Sequence, residues 1–167
     1  MTPNFSISLN PRDSRKLKRF MVSNPGPLRK RLLVMDDDLE IAEQIRVMLA
    51  PQHDVVAITD DLPSCLAVAK EHQPEVALLD ISMPRASGFM VAGLLLQLLP
   101  AAKIIFVTQH SSPAYINAAR EAGASGYVLK HKISEDLEPA LEVVLSGGEY
   151  ISPSLRTRIS PPLPRLC

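Results

Sequence analysis

Leu32-Leu33-Val34-Met35-Asp36-Asp37-Asp38 is the stretch that decides the fold. A short apolar run of this kind suits a strand covered on both faces. It then stops abruptly on acids. The same device recurs along the chain. Val76–Leu79 ends in Asp80, Ile104–Val107 ends in Thr108, and Gly126–Leu129 ends in Lys130. Val55–Ile58 is β-branched and reads as one more strand.

The segments between these strands carry helical spacing. Ile41, Ile45, Met48 and Leu49 fall on one helical face. A second helix runs through Leu66, Ala69 and Lys70, with Pro63 in its first turn, where proline is tolerated. A third runs from Gly88 to Leu99 and stops at Pro100. Its run Leu94–Leu99, broken by Gln97, reads as core, because a helix apolar nearly all round is buried. Ser112 reads as an N-cap with Pro113 at N1, and Gly123 ends that helix. Ser134 is expected to cap a last helix bearing Leu137, Leu141, Val144 and Leu145, ended by Gly147-Gly148. Five strand–helix units in succession imply a parallel sheet with helices on both faces.

The chain has 167 residues, with 18 Lys+Arg against 18 Asp+Glu. That length suggests one domain of roughly 100–150 residues plus tails. A hydrophobic content of 46% excludes a fully disordered chain. Cys65 and Cys167 are too few for a disulfide scaffold, and Cys65 reads as a buried small apolar residue. No apolar run approaches the roughly 18 residues of a membrane span. The zero net charge hides a strong division. Residues 1–31 carry +7, residues 32–150 carry seven basic against seventeen acidic residues, and residues 151–167 carry +3. Eight of the fifteen prolines lie in the two ends. Residues 1–28 therefore read as a basic flexible arm, 29–150 as the folded domain, and 151–167 as a basic, Pro-rich tail. The arm's charges are not followed by an apolar signal core, so the expected location is cytoplasmic. The balanced charge argues against a whole-chain nucleic-acid binder, and the basic ends leave only weak non-specific contact.

In an open parallel sheet the functional crevice lies beyond the carboxyl ends of the strands, at a topological switch point. Strand order 2-1-3-4-5 puts that point between strands one and three, with Asp36, Asp37 and Asp80 side by side. Such carboxylates stay ionised together only with a compensating cation. An oxygen-only ligand set suits Mg²⁺. Lys130 and Thr108 face them as a positive charge and a hydroxyl donor, and together they would stabilise a phosphoryl group on a carboxylate. Asp38 is a better helix cap than ligand. His53, His72, His110 and His131 show no ligand spacing and read as surface or loop residues, with His110 nearest the site.

These motifs, in this order and spacing, resemble the receiver domain of two-component response regulators. Leu32–Asp37, Leu78–Pro84 with Gly88, Ile104–Thr108 and Gly123–Lys130 carry the likeness, which covers residues 30 to about 150. The resemblance implies a flavodoxin-like, doubly wound α/β fold with five strands and five helices. It implies that Asp80 accepts a phosphoryl group from a sensor histidine kinase or phosphotransfer protein. Asp37, Asp80 and the carbonyl of Ser82 would bind Mg²⁺ directly, and Asp36 through water. Lys130 would pair with the phosphoryl group, Thr108 would move toward it, and Tyr127 would swing inward. Met83, Pro84 and Gly88 would shape the loop after Asp80. The surface of helix four, strand five and helix five would then change its affinity for an output protein, and a homodimer is compatible with this scheme. The domain is a phosphoacceptor rather than an enzyme, with slow self-dephosphorylation allowed.

Two departures stand out. Gln109 replaces the small residue usual after the switch hydroxyl, and would either screen Asp80 or point to solvent. Residues 146–155 resemble the linker before a LuxR-type helix-turn-helix, yet only seventeen residues follow position 150. The expectation is a stand-alone or truncated receiver without specific DNA binding. Two other readings compete. A receiver-like scaffold would work by contacts alone, without phosphate. A haloacid-dehalogenase-type phosphatase would use Asp36-x-Asp38, but Glu40 stands where its motif has Thr, and Asp80 would have no role.

Overall fold

The computed structural model describes residues 29–159. The expected arm 1–28 lies outside them, as do Cys167 and the end of the tail. The strands are β1 (Arg31–Met35), β2 (Asp54–Thr59), β3 (Val76–Leu79), β4 (Lys103–Thr108), β5 (Gly126–Leu129) and β6 (Tyr150–Ile151). The helices are α1 (Leu39–Leu49), α2 (Leu62–His72), α3 (Gly88–Leu98), α4 (Pro113–Glu121), α5 (Ile133–Leu145) and a short α6 (Pro153–Arg156). All strand pairs are parallel, in the order β2-β1-β3-β4-β5-β6. The five-stranded core has the expected order. β6 and α6 are additions at the far edge, formed by residues of the linker-like stretch and the start of the Pro-rich tail.

The period-two alternation of the strands sorts their side chains into two cores. Leu33, Met35, Leu79, Phe106, Tyr127 and Leu129 face one way, against α2, α3 and α4. Leu32, Val34, Leu78, Ile105, Val107 and Val128 face the other, against α1 and α5. Beyond the exposed Arg31 that opens β1, strands β1, β3 and β5 carry no charged residue, because both of their faces are covered.

Helix ends follow local chemistry, with two corrections. Asp38 caps α1, accepting bonds from the amides of Glu40 and Ile41, as expected. Gly123 takes a φ of +88° directly after α4, a conformation that costs glycine little. Ser112 takes the N-cap position of α4 with Pro113 at its start, as expected, but makes no side-chain capping bond. Ser134 does not cap α5. The chain leaves β5 through a 3₁₀ turn, Lys130–Lys132, so α5 begins at Ile133 and Ser134 lies inside its first turn. The Leu94–Leu99 expectation also changes. Leu95 and Leu99 are buried, but Leu94, Leu96 and Leu98 are only half-buried. α3 packs on the sheet by one face, and α2 covers only part of the rest. Cys65 is fully buried, as expected, and burial raises its thiol pKa to about 11.

Gly88 is required by close approach. Its amide donates to the Ile81 carbonyl at 2.9 Å. A Cβ there would sit 2.1 Å from the carbonyl oxygen of Asp80. Gly88→Ala is expected to lower stability by about 1–3 kcal/mol, as overpacking does, and to displace the loop after Asp80. Urea denaturation checks this. An unchanged midpoint would mean that α3 slides without strain.

Candidate functional site

Register assembles the site. Met35 pairs with Leu79, so Asp36 and Asp80 leave adjacent strands at the same level. Leu79 pairs with Phe106, and Thr108 with Leu129, which brings Thr108 and Lys130 to the same edge. Carboxylate oxygens of Asp36, Asp37 and Asp80 lie within 4.8 Å of one another. Asp37 and Asp80 open into a crevice of about 310 Å³ whose wall also includes Asp38, Ser82, Thr108, Gln109, His110 and Lys130, with Asp36 buried behind them.

The charges are arranged in layers. Asp36 and Asp80 are buried, while Asp37 is exposed at the mouth. The Lys130 ammonium lies 2.8 Å from Asp36 Oδ2 and 3.2 Å from Asp80 Oδ2. Asp36 Oδ1 also accepts the Asp38 amide at 2.9 Å, and Asp80 Oδ1 accepts the Ile81 amide at 2.7 Å. Burial pushes the Asp36 carboxyl above the ordinary range, against the opposing pull of Lys130 and the Asp38 amide. Burial alone would lower Lys130. Its bonds to Asp36 and Asp80 outweigh that and hold its pKa above the ordinary value, so it carries its charge at neutral pH.

One ammonium against this carboxylate cluster leaves net negative charge in a partly closed pocket. All the ligand atoms offered are hard oxygens. Such a set fits a small divalent cation that keeps several waters, and Asp37 and Asp80 are the carboxylates open to it. Asp38, by contrast, is committed to α1.

The remaining expected residues fall around this cluster. Thr108 is fully buried, and its hydroxyl accepts the His110 amide at 3.3 Å. Tyr127 is already inside, 2% exposed, and its hydroxyl donates to the His110 carbonyl at 2.9 Å. Burial pushes that phenol upward, so it remains a donor. Gln109 is exposed on the crevice wall. Met83 packs against the core, and Pro84 is exposed.

His110 is the residue that sequence reading undervalued. It lies in the loop after β4, as expected, but is half-buried there. Its Nε2 lies 2.6 Å from Ser82 Oγ, and its ring stacks on Tyr115 with centroids 3.9 Å apart. The signal was positional. Ser82 stands two residues beyond Asp80 and His110 two beyond Thr108, in the loops that follow the neighbouring strands β3 and β4.

The comparisons with known proteins agree with this fold. The family model of the response regulator receiver domain matches residues 32–142. The transcriptional regulatory protein DegU of Brevibacillus brevis is 32% identical over 75% of this chain and 54% of its own length. The probable transcriptional regulatory protein NarL of Mycobacterium tuberculosis is 31% identical over 80% of this chain and 63% of its own. The chain thus spans little more than half the length of these curated relatives. Among solved structures, a LuxR-family two-component response regulator from Aurantimonas sp. superposes with a TM-score of 0.73 at 30% identity, covering 78% of this chain and 94% of that one. The family model covers about two thirds of the chain and the solved structure shares its fold, and the chain belongs to the response regulator receiver domain family.

Proposed function

We propose that this domain is a phosphorylation-controlled switch in which Asp80 accepts a phosphoryl group from a phosphohistidine on a sensor kinase or phosphotransfer protein. The observation that carries this reading is the convergence of Asp36, Asp37, Asp80, Thr108 and Lys130 on one crevice from the ends of four strands. Asp80 offers its Oδ2 to the crevice while the Ile81 amide holds the other oxygen, which orients the nucleophile. Mg²⁺ would be held by Asp37, Asp80 and the Ser82 carbonyl, with Asp36 acting through water. It would neutralise the phosphoryl oxygens. Lys130 would release Asp80 and follow the arriving phosphoryl group, keeping its bond to Asp36. Thr108 would exchange the His110 amide for a phosphoryl oxygen. Each is a local charge change acting on a two-state element.

The domain acts as a phosphoacceptor and not as an enzyme, apart from slow self-dephosphorylation. Its place is the cytoplasm, where its donors present their phosphohistidines. No helix among the described residues is long and apolar enough to cross a membrane. The test is labelling with a small phosphodonor such as acetyl phosphate, with and without Mg²⁺. A single base-labile, Mg²⁺-dependent phosphoryl adduct is expected. No adduct under either condition would favour a scaffold that works by contacts alone.

Gln109 should tune the rates. Its side chain stands on the wall through which a donor or a water reaches Asp80. Gln109→Ala is expected to speed phosphorylation or dephosphorylation by about threefold to tenfold, equivalent to roughly 0.7–1.4 kcal/mol of barrier. Identical time courses for the two proteins would show that Gln109 points to solvent.

A further inference from the structure

The segment after α5 lies beyond the residues that the family model matches, yet it is built into the fold. Tyr150–Ile151 adds to the free edge of β5, with Gly126 opposite Tyr150 and Tyr127 opposite Ile151. The Tyr150 amide donates to the Ser125 carbonyl and the Ser152 amide to the Tyr127 carbonyl, both at 2.9 Å. Ser152 is fully buried. Its hydroxyl donates to Asp136 Oδ2 on α5 at 2.5 Å and accepts the Leu129 amide at 3.1 Å. Leu155 is 1% exposed and belongs to the same core as Tyr127. The ends of the segment are tied as well. Glu149 pairs with Arg120 of α4 at 2.6 Å, and Arg156 bonds the Ile151 carbonyl at 3.0 Å.

This arrangement bears directly on Tyr127 and Lys130. Ser152 holds the backbone on both sides of Val128, at the Tyr127 carbonyl and the Leu129 amide, one residue before Lys130. Ile151 stands beside Tyr127 on the same face of the sheet, on its edge side. The gap left between α4, β5 and this segment is only about 10 Å³. That volume holds about one water and no phenol ring. With little space on that side, the docked segment favours the inward position that Tyr127 takes here.

We propose that Ser152 is a positioning residue for the phosphoryl site: by docking residues 149–156 on β5, it holds Tyr127 inward and the end of β5 in register for Lys130. This rests on the receiver reading above. Docking of the segment and occupation of the phosphoryl site both favour Tyr127 inside, so each favours the other. Linkage makes the coupling reciprocal. The chain that continues past Arg156 then feels the state of Asp80 through Ser152 rather than through an open β5 edge.

The test uses the full chain, with Mg²⁺ and beryllofluoride as a phosphoryl mimic. In the unaltered protein, beryllofluoride should slow hydrogen exchange at the Tyr150 and Ser152 amides by at least fivefold. Arg156→Ala loosens the segment from its exposed end, and Ser152→Ala loosens it at its centre. Each should weaken beryllofluoride binding by at least fivefold while leaving affinity for Mg²⁺ alone within twofold. A merely structural loss would weaken both. Should Ser152→Ala fail to fold, Arg156→Ala and the exchange measurement decide alone. Unaltered beryllofluoride affinity in Arg156→Ala, with unaltered exchange at 150 and 152 in the parent, would overturn the proposal. Failure of the unaltered protein to bind beryllofluoride at all would instead reject the receiver reading.

Discussion

Asp80→Asn is expected to reduce phosphodonor labelling to background. The substitution keeps the shape of the side chain and an oxygen for the Ile81 amide, so the loop after β3 is expected to persist. It removes the nucleophilic carboxylate oxygen that faces Lys130. Asp36 remains bonded to Lys130, so the ammonium keeps a counter-charge and the fold should survive. Intact-protein mass and a thermal melt check both statements on one sample. Labelling that persists, mapped to Asp36, would support the phosphatase reading instead. Asp36 is poorly disposed for that role, because its two oxygens are already engaged by Lys130 and the Asp38 amide.

Lys130→Met should be the most destabilising single change in the site. Lys130 is 8% exposed and lies between two buried carboxylates. Methionine retains much of the stem volume but leaves Asp36 and Asp80 without a counter-charge. Breaking a buried pair in this way costs about 3–5 kcal/mol. The lower end is expected here, because the crevice is open on the Asp37 side. Two signatures distinguish this cause from lost packing. Mg²⁺ should restore more stability to the variant than to the parent, since it binds the folded form and replaces the missing charge.

The second signature is pH dependence. The Asp36 carboxyl is already raised by burial, and losing Lys130 raises it further. A folded-state carboxyl above its unfolded value takes up a proton first in the folded form. Stability of the variant therefore rises as pH falls through that raised value, and levels off below the unfolded one. Urea titrations between neutral pH and pH 4.5, with and without Mg²⁺, measure both. A variant as stable as the parent and indifferent to Mg²⁺ would show that Lys130 is not the charge that holds the cluster together.

The core of the fold was legible because its signals are local. Leu32–Met35, Val76–Leu79 and Gly126–Leu129 are apolar at every position except a single glycine, which only a doubly covered strand requires. Asp38, Pro63 and Gly123 mark helix ends by their own backbone and side-chain chemistry. The errors lie where a neighbour in space decides. Ser134 has the right chemistry for a cap, but the turn after β5 sets the helix start before it. Leu94 and Leu98 have the right hydropathy for core, but the sheet and α2 bury only part of that helix. Residues 150–156 carry the look of a linker, and become ordered because β5 offers a free edge and Asp136 a buried partner for Ser152.

The candidate site divides the same way. The sequence by itself determined which strands end in carboxylate, hydroxyl and ammonium, because strand ends and residue types are properties of short segments. It thereby determined the fold class and the kinds of group that meet at the crevice. Only the tertiary structure decided how these groups are paired. Lys130 chooses both Asp36 and Asp80, His110 turns to Ser82 and Tyr115, and Tyr127 is enclosed by Ile151. The physical reason is that pairing depends on register and burial across residues far apart in the chain, and these are settled when the sheet closes.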